Sequence, residues 1–129
     1  MFKIVDELAV LAEDVAVTST ASTTGKNIIG LNVGTVEYVA LVNTSATTGT
    51  VDGSNYYTVA IEASDAVGGT YVAIGKSVVL PATAGKYQIA FTSEELNRLV
   101  PNADYFRVTT TKTGTTATAV TVTAFISKI

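Results

Sequence analysis

The feature that most narrows the possible folds is a strict two-residue alternation. Tyr57, Val59 and Ile61 alternate with Tyr56, Thr58, Ala60 and Glu62, and Val120, Val122, Ala124 and Ile126 alternate with Thr121, Thr123, Phe125 and Ser127. Successive side chains of an extended strand point to opposite faces, so each run offers one face to a core and one to water. A helix, with about 3.6 residues per turn, would scatter the same residues around its circumference. Thr and Val, both stiff at χ1 and suited to a half-buried pleated surface, recur through the rest of the sequence.

Turn signals divide the remainder into similar pieces. Val15, Val17 and Ser19 alternate with Ala16, Thr18 and Thr20, ahead of a Ser/Thr/Gly loop ending at Lys26. Ile29, Leu31 and Val33 predict another strand, stopped at Gly34-Thr35. Val36 to Val42 is apolar on both faces, which predicts a central strand covered by a second sheet. Asn43 to Asn55 reads as a polar loop. After Glu62, the Gly68-Gly69 pair predicts a turn, Thr70 to Ile74 its partner strand, Gly75 a break, and Ser77 to Leu80 a resumption that Pro81 ends. Lys86 to Phe91 forms a strand with Tyr87, Ile89 and Phe91 on one face. Ser93, followed by Glu94 and Glu95, predicts an N-cap and a short helical turn over Ser93 to Val100. Tyr105 to Thr111 and Thr116 to Ser127 are the last strands. About eight short strands in this order predict an all-β antiparallel sandwich or jelly roll over residues 15–129, as a single domain.

Residues 1–14 follow a different rhythm. Ile4, Val5, Leu8, Leu11, Ala12 and Val15 recur at spacings of three and four, with Lys3, Asp6, Glu7, Glu13 and Asp14 opposite them. This predicts an N-terminal amphipathic helix, or an extended arm, since no clear N-cap precedes it. The stripe either caps one end of the sheet core or docks on a neighbouring subunit. For docking the candidates are Phe2, Ile4, Val5, Leu8 and Leu11.

The inventory of reactive side chains excludes more chemistry than it suggests. The 129 residues include no His, no Cys and no Trp. The usual near-neutral proton carrier, the thiolate nucleophile and the nitrogen and sulfur ligands of zinc are therefore missing. Charged residues make up only 15%, and the net charge is −3 with the lysines and arginines scattered singly, so no footprint for nucleic acid exists. Asp6 and Glu7 interrupt any signal-peptide core and no apolar run approaches membrane-spanning length, so no membrane association is expected.

The remaining candidates favour structural readings. Asp52-Gly53-Ser54-Asn55 offers oxygens near a turn but lacks the spaced acids of a Ca²⁺ loop. Glu94-Glu95 and Asp6-Glu7 are adjacent pairs that do not converge as a glycosidase pair must. Gly68-Gly69 lies between two strands, where a phosphate loop needs a strand and a helix. No catalytic residue, cofactor or metal is expected, and the chain is not expected to be an enzyme. Tyr56, Tyr105 and Phe125 fall on the outward parity and are candidates for a subunit interface or a sugar-stacking face.

Three stretches carry a family likeness. They are Ala16 to Thr24 with Ile28-Ile29-Gly30-Leu31, then Val59 to Asp65 leading through Gly68-Gly69-Thr70-Tyr71 to Ile74-Gly75, and Tyr105-Phe106-Arg107-Val108 with Gly114 and Thr116 to Ala124. Together they resemble the small jelly-roll cement, or decoration, proteins of short-tailed bacteriophage capsids. The resemblance implies a virion structural protein made in the host cytoplasm and carried on the capsid exterior. It further implies a homotrimer that binds the major capsid protein and stabilises contacts between capsomers. A glycan- or host-surface-binding β-sandwich, or another head-fibre or tail component, is the alternative.

Overall fold

The computed structural model describes residues 10–128, which form two antiparallel sheets packed face to face. The strands are β1 (Val10–Val17), β2 (Ala21–Ser22), β3 (Lys26–Asn27), β4 (Glu37–Thr44), β5 (Thr48–Gly49), β6 (Tyr56–Ser64), β7 (Val72–Leu80), β8 (Gly85–Thr92), β9 (Tyr105–Thr113) and β10 (Ala117–Lys128). Among the described residues one helix, α1 (Ser93–Leu99), separates β8 from β9. The first sheet runs β1-β10-β4-β8, with β5 also on β10; the second runs β2-β9-β6-β7, with β3 also on β9. The all-β sandwich is as expected, with ten strands among the described residues where about eight were expected. The two-residue pieces β2, β3 and β5 are too short to show a period, and the strand expected at residues 29–33 is a loop.

The long alternating runs build the core. Tyr57, Val59, Ile61 and Ala63 of β6 face Val120, Val122, Ala124 and Ile126 of β10 across the sandwich, all of them buried. Phe91 of β8 stacks on Tyr38 in its own layer (5.5 Å between ring centroids) and on Phe106 of the opposite layer (6.5 Å), which joins the sheets through offset aromatic contacts.

Three expectations need correction, each for a local reason. Val10–Asp14 belong to β1, so neither a helix nor an arm extends through residue 14; residues 1–9 lie outside the described part. β1 pairs with β10 through two register shifts, between Val10 and Ala12 and between Ala12 and Val15, and Asp14 sits at φ 49°. Each bulge breaks the alternation, so Leu11, Ala12 and the partly buried Val15 turn inward at spacings that imitate a helix. The bulge is held by the Asp14 N–H, which donates to Thr123 Oγ1 (3.0 Å).

Residues 28–36 form a loop, so the strand expected at Ile29, Leu31 and Val33 is absent. Gly30 (φ 95°) and Gly34 (φ 78°) take left-handed conformations that end any strand and let the chain cross from the second sheet to the first. Gly75 does not break β7 but bulges it: Val59 pairs with Val78 and Ile61 with Ile74, leaving three residues of β7 opposite one of β6. A Cβ at Gly75 (φ 68°) would lie 2.7 Å from Ile89 Cγ2, so only glycine fits there.

The helix begins one residue earlier than predicted. Thr92 is its N-cap, with Oγ1 accepting from the Glu95 N–H (3.1 Å). Ser93 is buried in the first turn, where its Oγ donates to the Gly34 carbonyl and accepts from the Val36 N–H, both at 2.8 Å. The Glu95 carboxylate accepts from the Gly75 N–H (3.2 Å) and ties α1 to the β7 bulge.

Candidate interaction surfaces

The end of the sandwich that carries α1 is closed by two long crossings. Residues 28–36 lead from β3 to β4, and α1 with residues 100–104 leads from β8 to β9. Each crossing has an inner layer that plugs the core: Ile28 and Leu31 from the first, Leu96, Val100 and Ala103 from the second, all buried. Polar bonds fix the crossings to each other and to the sheets. Ile28 N–H donates to Asp104 O (2.8 Å), Asn32 Nδ2 to Pro101 O (2.7 Å), and Ser93 bridges Gly34 and Val36 as described.

This bracing decides what the outer layer shows. With Ile28 and Leu31 pointing inward, Ile29 and Val33 face out, 76% and 68% exposed. Val67, in the β6–β7 turn at the same end, is 53% exposed. Three of the four most exposed large hydrophobic residues among the described ones thus share one end of the molecule. A loose loop could fold such side chains inward, whereas this loop is pinned at both ends and in the middle. Apolar side chains held outward at one end of the molecule mark that end as a candidate contact face. Covering Ile29 and Val33 would contribute about 2 kcal/mol each.

The residues singled out from the sequence are dispersed. Phe125 lies on the outer face of the first sheet, half-buried between its register partners Val10 and Leu41. Tyr56 and Tyr105, also half-buried, lie on the second sheet at opposite ends of the β6–β9 ladder, where they pair with Thr113 and Ser64. Eight residues of strand separate those levels, about 27 Å, so the three aromatics form no common platform. Leu11 is buried in the core at 6% exposure and is not available for docking; its bulged strand turns it inward. Phe2, Ile4, Val5 and Leu8 lie outside the described residues.

A second cluster, on the outer face of the second sheet, was not visible in the sequence. Glu62 and Arg107 are direct register partners across β6 and β9. Arg107 Nε donates to Glu62 Oε1 at 2.7 Å, and Thr109 Oγ1 donates to the same oxygen at 2.6 Å. The guanidinium carbon sits 3.9 Å from the centroid of the Tyr71 ring, a cation–π stack. No sequence signal announces the pair, because the partners are brought together only by the strand register.

Among the described residues no group of three or more His, Cys, Asp or Glu could hold a metal ion. A cleft of about 60 Å³ opens between β1 and β2, but it is lined by Val15, Val17, Val108, Val122 and small neighbours and holds no titratable group. Asp52 stays in its turn: the amide of Asn55 and the Ser54 N–H favour its charged form and hold its carboxyl below the ordinary value. Burial pushes the phenols of Tyr38 and Tyr57 up, away from any acid–base role near neutrality. No helix among the described residues is long and apolar enough to cross a membrane.

Comparison with known proteins agrees at the level of fold. No family model matches the sequence, and no curated protein matches it. Among solved structures, that of infectious bursal disease virus strain Gx superposes with a TM-score of 0.51 at 12% identity, over 91% of this chain and 30% of that one. The Clostridium thermocellum endo-1,4-β-D-xylanase 10B CBM22-1–GH10 structure, complexed with xylohexaose, gives a TM-score of 0.48 at 10% identity, over 95% of this chain and 28% of that one. The EclA C-terminal domain, a sugar-binding protein, gives 0.42 at 12% identity, over 94% and 71%. The chain spans less than a third of the first two, and the last two likenesses are too loose to carry an argument. The first supports a jelly-roll-like sandwich of a kind that a viral structure also contains.

Proposed function

We propose that this chain is a capsid cement or decoration protein, which trimerises on the capsid exterior and holds neighbouring capsomers of the major capsid protein together. The observation that carries the reading is the braced apolar end bearing Ile29, Val33 and Val67. In this reading it is a surface for contact, on a molecule whose described residues include no group of His, Cys, Asp or Glu that could hold a metal ion. The sequence resemblance supplies the partner, and the fold is compatible with it.

Mechanically, packed DNA pushes capsomers apart, and a trimer bound across their junctions adds interface that must break before they separate. Three linked contacts raise avidity even when each is weak. The apolar residues Phe2, Ile4, Val5 and Leu8 belong to the same docking apparatus in this reading, since β1 begins near the helical end: Val10 pairs with Phe125 and Lys128 with Tyr38.

The test is co-sedimentation with expanded capsids that lack decoration. The wild-type chain should run as a trimer and pellet with the capsids. The double variant Ile29→Asp/Val33→Asp should stay in the supernatant with an unchanged melting temperature. Removing residues 1–9 should weaken capsid or trimer contacts without melting the sandwich. A stable monomer at micromolar concentration with no capsid binding would sink the proposal.

A further inference from the structure

The outer face of the second sheet carries a polar cluster of a different chemistry, which adjoins the docking end at Val67. Its centre is the Glu62–Arg107 pair, with side chains 18% and 28% exposed. The pairing is one-sided. Glu62 Oε1 accepts both from Arg107 Nε and from Thr109 Oγ1, while Glu62 Oε2 and the two terminal amino groups of Arg107 meet no hydrogen-bond partner among the described residues. Thr109 Oγ1 is held in turn by Ser22 Oγ (2.8 Å). The guanidinium plane is steadied by Tyr71, whose hydroxyl donates to the Val67 carbonyl (2.8 Å). Every member of the cluster is therefore fixed, yet donors on the guanidinium and an acceptor on the carboxylate remain unspent.

The register keeps this cluster accessible. Ala73 opposes Glu62 on β7, and Ala60 and Ser22 oppose Thr109 on either side. Small side chains thus surround the ion pair.

The unspent groups select a ligand class. An anion drawn to Arg107 meets the Glu62 carboxylate, and a cation drawn to Glu62 meets the guanidinium. A neutral polyol satisfies both, because one hydroxyl accepts from the guanidinium while its neighbour donates to Glu62 Oε2. The partly exposed Tyr71 ring adds an apolar neighbour to the cluster. We infer that the Glu62–Arg107–Tyr71 cluster is a saccharide-binding site, which takes a neutral sugar through a vicinal pair of hydroxyls. It goes beyond the capsid role and places a recognition function on the outer face of the second sheet, beside Val67 of the docking end.

The experiment is an NMR titration of the ¹⁵N-labelled full chain with cellohexaose and with mannohexaose. Saturable shifts at the amides of Glu62, Tyr71, Arg107 and Thr109 are expected with at least one of them. Arg107→Lys keeps the charge facing Glu62 but loses the planar fork of donors, and should weaken binding by about 10-fold with an unchanged melting temperature. Ile29→Asp/Val33→Asp should bind the sugar as the wild type does. An absence of shifts with both hexasaccharides, each at several millimolar, a concentration that detects even millimolar affinity, would overturn the inference. So would an Arg107→Lys variant that binds as tightly as the wild type, since a purely structural ion pair predicts no change.

Discussion

The two ends of this sandwich close the same kind of core by opposite means. At the end away from α1 the crossings are short, and polar groups seal them. Asp52 Oδ1 accepts from the Ser54 N–H and from Asn55 Nδ2, both at 2.9 Å, while Asn55 Oδ1 accepts from the Thr115 and Thr116 N–H groups at 2.8 and 3.1 Å. The Thr47 N–H reaches the Ala82 carbonyl (2.9 Å), which joins the remaining loops. The helical end uses long crossings with apolar plugs, Ile28 and Leu31 beside Leu96 and Val100. A short polar crossing consists of little beyond its own closure, so it has few side chains left for other tasks. A long plugged crossing has two layers, and only the inner one is needed for the fold. That leaves the outer layer, with Ile29 and Val33, available for a partner.

The largest expected effect tests that division into layers. Leu96 is fully buried, and Leu96→Ala should lower the free energy of unfolding by about 3 kcal/mol, from lost transfer energy and the cavity left behind. Ile29→Ser, in the same end cap, should change it by less than about 0.5 kcal/mol. Urea denaturation of both variants measures the contrast. Comparable losses would mean that the outer layer belongs to the fold and is not reserved for contact.

A smaller effect is expected at the opposite end. Asn55→Ala removes the acceptor shared by Thr115 and Thr116 and the donor to Asp52. The affected groups are exposed, so water replaces part of what is lost, and the cost should be about 1 kcal/mol. Gly114 (φ 78°) completes the same clamp, since a Cβ there would collide with the Asn55 side chain. An Asn55→Ala variant as damaged as Leu96→Ala would show that polar closure is as structural as apolar plugging.

How far each end could be read in the sequence follows the same division. Strands with uninterrupted alternation, β6 and β10, were legible residue by residue, down to Tyr57, Val59 and Ile61 as core. The helical end was misread wherever an irregularity shifted the period. The two bulges of β1 gave Leu11, Ala12 and Val15 a helical spacing. The buried pair Ile28 and Leu31 is three residues apart with no helix, because glycines at 30 and 34 bend the loop. Gly30 and Gly34, spaced by four, were the one available sign that Ile29 to Val33 was not a strand. The Glu62–Arg107 pair carried no local sign, since charges 45 positions apart become neighbours only through the β6–β9 register. Local patterns report the face a residue takes within its own element; contacts between elements depend on register, which bulges and long crossings reset.

The smallest expected effect separates the ends by pH. Asp52 has its carboxyl held below its ordinary value of 3.8 by the Asn55 amide and the Ser54 N–H, so its charged form is favoured in the folded state. The unfolded chain binds that proton more readily, and the contribution to stability is therefore fully present above pH 3.8 and fades as the pH falls through the lower folded value. Because Asp52 is fully exposed, the effect is local and modest, and hydrogen exchange resolves it better than global melting. Protection of the Ser54 amide should fall as the solution is acidified below that point, and in Asp52→Asn the same amide should lose this acid dependence. The Ile28 amide, bonded to a backbone carbonyl at the helical end, should hold its protection through the same range, apart from the intrinsic change in exchange rate. Loss of protection at Ile28 in step with Ser54 would mean that the two ends open as one unit, and the distinction between a polar clasp and an apolar plug would then describe their chemistry without separating their stability.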